Sequence, residues 1–139
     1  MGQFTTIFRI KTSGRGLYEF TEELVAHVGA QKLEAGLVTL FCRHTSASLL
    51  IQENAAHEVH VDLEAFFDRI APEEEGRYAH ADEGPDDMPA HIRAALTNVS
   101  LSIPIIGGRL ALGVWQGIYL FEHRRAPHVR EVALHGIGA

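Results

Sequence analysis

The chain has 139 residues, 46% hydrophobic and 22% charged, which is enough apolar material for one core and too much for a disordered polymer. A formal charge of −6 argues against a nucleic-acid partner held by phosphate neutralisation, and no apolar run is long enough to span a bilayer. One cysteine, Cys42, excludes an internal disulfide and a multi-cysteine zinc site.

Met1–Phe4 lacks the basic and apolar regions of a signal peptide, so the expected location is the cytoplasm. There is no linker, repeat or low-complexity segment, and one domain over residues 1–139 is expected. Nine histidines are the unusual count and invite a metal or acid–base reading.

Phe4 to Thr12 alternates with period two and predicts a strand. Ser13-Gly14-Arg15-Gly16 is a turn. Leu17, Phe20, Leu24 and Val28 recur at helical spacing, predicting a helix from Leu17 to Val28. Gly36 to Arg43 is apolar on both faces, as for a strand buried on both sides, and Cys42 reads as an inert core thiol.

His44-Thr45-Ser46-Ala47-Ser48 interrupts with polar side chains. A helix from Glu53 to Ile70 follows, with Ala56, Val59, Leu63, Phe66, Phe67 and Ile70 as its apolar stripe and Pro72 as its stop. His57 and His60 fall off that stripe and read as a solvated face. Asp86 or Asp87 can cap a further helix with Pro89 in its first turn and Met88, Ile92, Ala95 and Leu96 facing inward. Val99 to Ile105 alternates, Gly107-Gly108 is a hairpin turn, Arg109 to Glu122 alternates again, and Val129 to His135 is a last strand. The expected fold class is α+β, with mostly antiparallel, sandwich-like sheets and about three helices.

Tyr78 to Ile92 (YAHADEGPDDMPAHI) holds two histidines and four acids within an irregular, polar stretch. With His123 its two histidines form a candidate metal trio: His80, His91 and His123. Three imidazoles and a water make an open tetrahedral zinc site, with nearby acids as orienters or bases. Three unrelated histidines are the competing account, since spacings of 11 and 32 match no short zinc signature. Glu53 is either a capping carboxylate at a helix start or a catalytic acid. His44, Thr45, Ser46 and Ser48 can hold an oxyanion at a strand end, and Arg124 and Arg130 suit phosphate through their planar forks.

The motifs HTSASL (44–49), YAH (78–80), EGPDDMPAHI (83–92), LGVWQGI (112–118) and EHR (122–124) stand in one order. In that order, and over essentially the whole chain, the sequence resembles the YjbQ family, whose members are often labelled secondary thiamine-phosphate synthases. The resemblance implies a trimer with its site close to a subunit boundary. It makes His44, His80, His91 and His123 the site histidines, Asp87 and Glu53 the acids, and places Gln116 nearby. It implies joining a pyrimidine diphosphate to a thiazole phosphate with loss of pyrophosphate. One departure is visible: Val114 replaces a threonine, and by alternation it should point away from Trp115 and His123.

The resulting expectation is an enzyme with a His-rich, metal-capable pocket for a small phosphorylated substrate. His80, His91 and His123 hold a divalent metal, zinc by donor type, with magnesium an option for the synthase reaction. Asp87, Glu53 and His44 are the catalytic groups, and Thr45, Ser46, Gln116, Arg124 and Arg130 bind substrate. Two rivals stand beside it: a zinc-type hydrolase, and a non-catalytic trimer that binds a small anion or metabolite. The partners expected are a small molecule and further copies of the chain, with no nucleic acid and no membrane.

Overall fold

The structure, a computed structural model, describes residues 1–139. In chain order the elements are β1 (Gly2–Thr12), β2 (Gly16–Glu19), α1 (Thr21–Gly29), β3 (Gly36–Cys42), β4 (Ala47–Glu53), α2 (His57–Ile70), α3 (Asp87–Leu96), β5 (Ser100–Ile106), β6 (Arg109–Leu110), β7 (Gln116–Glu122) and β8 (His128–Gly138). Five strands form one sheet in the order β1-β8-β3-β5-β6, and three form a second in the order β2-β7-β4. Every pairing is antiparallel. The α+β class with sandwiched antiparallel sheets and three helices is therefore as the sequence led us to expect.

The core lies between the two sheets. Val38, Leu40 and Cys42 of β3, Leu101, Ile103 and Ile105 of β5, and Val132 and Leu134 of β8 meet Leu49 of β4 and Ile118 and Leu120 of β7, with Phe20, Leu24 and Val28 at one end. These are alternate positions on each strand, so one face of every strand is apolar, and their burial is the main drive for folding. β7 is buried on both faces, because Phe67 of α2 packs edge-on against Phe121 with ring centroids 5.6 Å apart. α2 and α3 thus make a third layer over the small sheet.

Five local expectations need correcting. β3 is buried on one face only, because its outer face leaves Leu37 and Phe41 exposed. Gly16–Glu19 is a strand paired with β7, and the helix begins only at Thr21. Leu17 to Phe20 is apolar enough to fit either period, and pairing with β7 decided between them. β4 was not foreseen. Its residues Leu49 to Gln52 lay in the gap between the polar turn and the predicted helix, which starts at His57 and not at Glu53. The stretch from Arg109 does not run as one strand: β6 ends at Leu110, and Ala111 to Trp115 form a loop. Val114 and Trp115 are therefore both exposed, at 80% and 60%, and the alternation that separated them does not apply. On α3 the inward face carries Asp87, Pro89, Ala90 and Arg93, while Leu96 is exposed. The apolar stripe failed there because the buried centre of the helix is an ion pair.

That ion pair fastens α3 to α2. Arg93 is wholly buried and donates to Glu64 at 3.1 Å and to Asp68 at 2.7 Å. No helix of the structure is long and apolar enough to cross a membrane.

Candidate metal centre and the polar core beside it

The residues from Pro72 to Asp86 form a loop tied down by Tyr78, whose hydroxyl donates to the Pro72 carbonyl at 2.7 Å. The loop brings His80 back over the start of α3. Gly84 turns the chain with φ at +105°, a conformation that side chains rarely adopt. Asp87 is the first residue of α3 and His91 lies one turn later on the same face.

Asp87 is the hub of this region. Its Oδ2 is 2.8 Å from His80 Nε2 and 3.1 Å from His91 Nε2, and its Oδ1 accepts from Arg124 Nη1 at 2.7 Å. Burial alone would raise its carboxyl, but the hydrogen bond from His80 and the nearby His91 and Arg124 hold it below the ordinary carboxylate value. The same hydrogen bond from Asp87 raises His80. Ligand atoms of His80, Glu83, Asp87 and His91 all lie within 4.8 Å of one another.

Arg124 closes the back of the cluster. Its Nε donates to Asp86 Oδ2 at 3.0 Å and its Nη2 to the Glu83 carbonyl at 3.0 Å. Asp86 also accepts from the Arg125 backbone at 2.9 Å. Burial would raise Asp86, and these cationic and amide donors outweigh it and hold its carboxyl low. Asp86 makes no capping hydrogen bond to α3, contrary to the helix-cap expectation. A cavity of about 480 Å3 opens beside His80, lined also by Glu73, Tyr78, Pro85 and Met88.

His123 does not join His80 and His91. It is 1% exposed, its Nε2 lies 2.9 Å from Ser48 Oγ, and its ring packs at a tilt of 55° against Phe121 with centroids 4.4 Å apart. Its Nδ1 is buried without a partner. Burial first, and then the positive charge of Arg93, push it down to about 3, so it is a neutral core histidine. Its place beside the cluster is taken by two carboxylates, those of Asp87 and Glu83. Asp87, expected as an acid–base group, faces two imidazoles and an arginine. His80-Glu83 and Asp87-His91, three and four residues apart, were the signal that could have found this set.

The remaining expected site residues lie apart. Glu53 ends β4, and its Oε2 accepts from the Ala55 and Ala56 backbone at 2.9 and 2.7 Å, so it organises the approach to α2. Gln116 is exposed and its Oε1 accepts from Gly113 N at 2.7 Å, clasping the Ala111–Trp115 loop. Thr45 touches the cluster through its backbone, accepting from His91 Nδ1 at 2.8 Å.

His44, Ser46 and Arg130 belong to a separate polar core around Glu122. Glu122 has no exposed surface, and it accepts from Thr12 Oγ1 at 2.7 Å, Arg130 Nε at 2.8 Å, Arg130 Nη2 at 2.5 Å, and the backbones of His123 and Arg124 at 3.0 and 3.1 Å. Burial would raise its carboxyl, and these donors, Arg130 foremost, hold it low. Ser46 Oγ accepts from Arg130 Nη2 at 3.0 Å, and His44 Nε2 accepts from the Glu131 backbone at 2.7 Å. None of Glu122, Arg93 and Glu83 had been singled out from the sequence as a site group, and Ser48, expected to help hold an oxyanion, instead pairs with His123.

Against known proteins, the chain matches the family model described as UPF0047 protein YjbQ-like over residues 6–139. It is 52% identical over 136 residues to a UPF0047 protein of Synechocystis, covering 98% of this chain and 92% of that protein. It is 40% identical to UPF0047 protein YjbQ of Escherichia coli O157:H7 over 83% of each chain. Among solved structures, an uncharacterized conserved protein of the yjbq/upf0047 family from Clostridium acetobutylicum superposes with a TM-score of 0.86 at 33% identity, over 95% of this chain and 99% of that one.

These relatives carry UPF0047 family names and no synthase or transferase name, which overturns the thiamine-phosphate synthase expectation. The side chains agree with that correction. The two guanidiniums that were to receive pyrophosphate are engaged by carboxylates, Arg124 by Asp86 and Asp87 and Arg130 by Glu122. The chain belongs to the YjbQ/UPF0047 family.

Proposed function

We propose that the protein binds a divalent metal ion through His80, Asp87 and His91, with Glu83 as a fourth donor. The observation that carries this is the pairing of His91 with Asp87. The Thr45 carbonyl can only accept, so His91 carries a proton on Nδ1. When that is the ring's one proton, its lone pair sits on Nε2, 3.1 Å from the carboxylate Oδ2 of Asp87. Two acceptors at that distance repel unless a proton or a cation lies between them. A backbone carbonyl fixing one imidazole nitrogen while the other faces outward is the usual support for a histidine ligand.

Two imidazoles and two carboxylates suit zinc or another first-row divalent ion better than magnesium, which prefers oxygen donors alone. An ion held there offers Lewis acidity at a solvent-facing edge, because His80 and Glu83 are exposed while Asp87 is buried. The cavity beside His80 supports a small-molecule partner at the same place.

The test uses protein purified without a histidine tag. About one equivalent of a transition metal, or a zinc-induced rise in melting temperature reversed by EDTA, is the expected result. Saturating ion at about a hundred times Kd should add roughly 2.7 kcal/mol. Sub-stoichiometric metal together with an unchanged melting curve in zinc and in EDTA would sink the proposal.

The implied self-association is part of the same proposal. The outer face of the five-stranded sheet exposes Ile7, Leu37 and Ile137, a patch that suits another copy of the chain. Light scattering coupled to gel filtration tests it, and a monomer at micromolar concentration refutes it. The one buried free thiol, Cys42, supports a cytoplasmic location.

A further inference from the structure

A second depression, of about 590 Å3, lies at the end of β3 and is lined by Phe41, Cys42, Arg43, His44, Ser46, Val99 and Arg130 among others. Two hydrogen-bond donors meet at its polar end with nothing between them to accept. The tautomer of His44 is set by the backbone: Glu131 N donates to its Nε2 at 2.7 Å, so the ring proton of the neutral imidazole is on Nδ1. Burial and then the charge of Arg130 lower His44, which keeps that ring neutral. Its Nδ1–H therefore faces Arg130 Nη1, itself a donor, at 3.5 Å.

Arg130 is only 4% exposed, and its other nitrogens are satisfied by Glu122 and Ser46. Nη1 alone has no acceptor. An unmet donor on a buried guanidinium is costly, and two converging donors are relieved together by one oxyanion.

We propose that this depression is a binding site for a small monoanionic carboxylate with an apolar body. Charge selects the head group. Arg130, Arg43 and Arg9 stand against two carboxylates, Glu122 and Glu131, which leaves about one net positive charge, so the site accepts a monoanion and disfavours a dianion. The walls select the body, because Phe41 and Val99 stand half-exposed at the rim, at 48% and 47%. The inference does not depend on a metal at Asp87, since none of its donors belongs to that cluster.

The test is a titration of the 15N-labelled protein with sodium benzoate, sodium acetate, inorganic phosphate and sodium chloride at matched ionic strength. Saturable shifts of the His44 ring and the Arg130 guanidinium are expected with benzoate, weaker ones with acetate, and none with chloride. Val99→Glu places a carboxylate at the rim and should weaken benzoate by about tenfold or more, whereas Val114→Glu, on the exposed loop elsewhere, should not. Phosphate binding as tight as benzoate, benzoate binding unaffected by Val99→Glu, or no saturable binding overturns the proposal. Should Val99→Glu fail to fold, the wild-type histidine spectrum decides: a His44 proton on Nε2 would leave Nδ1 as the acceptor for Arg130, and the site would not exist.

Discussion

Glu122→Gln is the sharpest test of the polar core. The carboxylate is wholly buried and receives five hydrogen bonds, two of them from Arg130. Glutamine has the same shape but turns one acceptor into a donor and leaves the buried guanidinium without its counter-charge. Removing one partner of a buried pair costs about 3–5 kcal/mol, and a chain of this length loses roughly 3–4 °C per kcal/mol. The expected fall in melting temperature at neutral pH is thus about 10–20 °C. In Glu122→Gln/Arg130→Met both charges go, and part of the loss should return.

The pH dependence follows from the depressed carboxyl. The folded chain holds the Glu122 proton less readily than the unfolded one, where the group titrates near its ordinary 4.5. Its stabilisation is complete above that value and disappears as pH falls through the lower folded value. Thermal melts from neutral pH to acid should show this loss in wild type and a flatter profile in Glu122→Gln. A variant that melts within about 3 °C of wild type, less than one kcal/mol, would refute the account of Glu122 as the counter-charge of Arg130.

Three further outcomes are expected. Asp87→Asn should remove stoichiometric metal, measured by elemental analysis, and also lower the melting temperature because Arg124 loses a charged partner at 2.7 Å. His123, held near 3 by burial against an ordinary 6.5, is neutral in the fold while the unfolded chain takes up a proton below 6.5. Stability should therefore fall as pH drops from about 6.5, by roughly 1.4 kcal/mol per pH unit, and urea titrations of His123→Phe should lack that component. Gly36→Ala drives a methyl group into the Ile137 carbonyl on the neighbouring strand, and should cost about 1–3 kcal/mol in denaturant unfolding.

Strands with a clean period of two, such as Phe4 to Thr12 and Val99 to Ile105, were legible because one face meets the core and the other does not. The sequence was least legible where charge replaces hydrophobicity inside. Arg93 faces inward on α3 and displaced the expected apolar stripe, because its partners Glu64 and Asp68 lie on another helix and spacing gives no hint of them. At the proposed metal centre the stretch from Tyr78 to Ile92 supplies all four clustered side chains, while His123, expected to complete the set, lies apart from them. His123 is an imidazole at a strand end like many ligands, and only three-dimensional packing against Phe121 and Ser48 separates it from His80 and His91. The strand β4 was missed because the polar HTSAS turn draws attention from the apolar residues that follow it.

The five-stranded sheet places β8 between β1 and β3, so residues 2–12 pair only with residues 128–138. During synthesis the first strand emerges long before its one neighbour exists. For most of translation it is an open edge bearing Phe4, Phe8 and Ile10, groups that pack against the finished core. Pairings of such sequence separation slow folding into the range expected of sheet proteins, well behind helical ones. An unpaired apolar edge is also a template for the equivalent strand of another molecule. Conditions that delay β8, such as crowded refolding or a stalled ribosome, should therefore produce strand-exchanged oligomers before they produce unfolded chains.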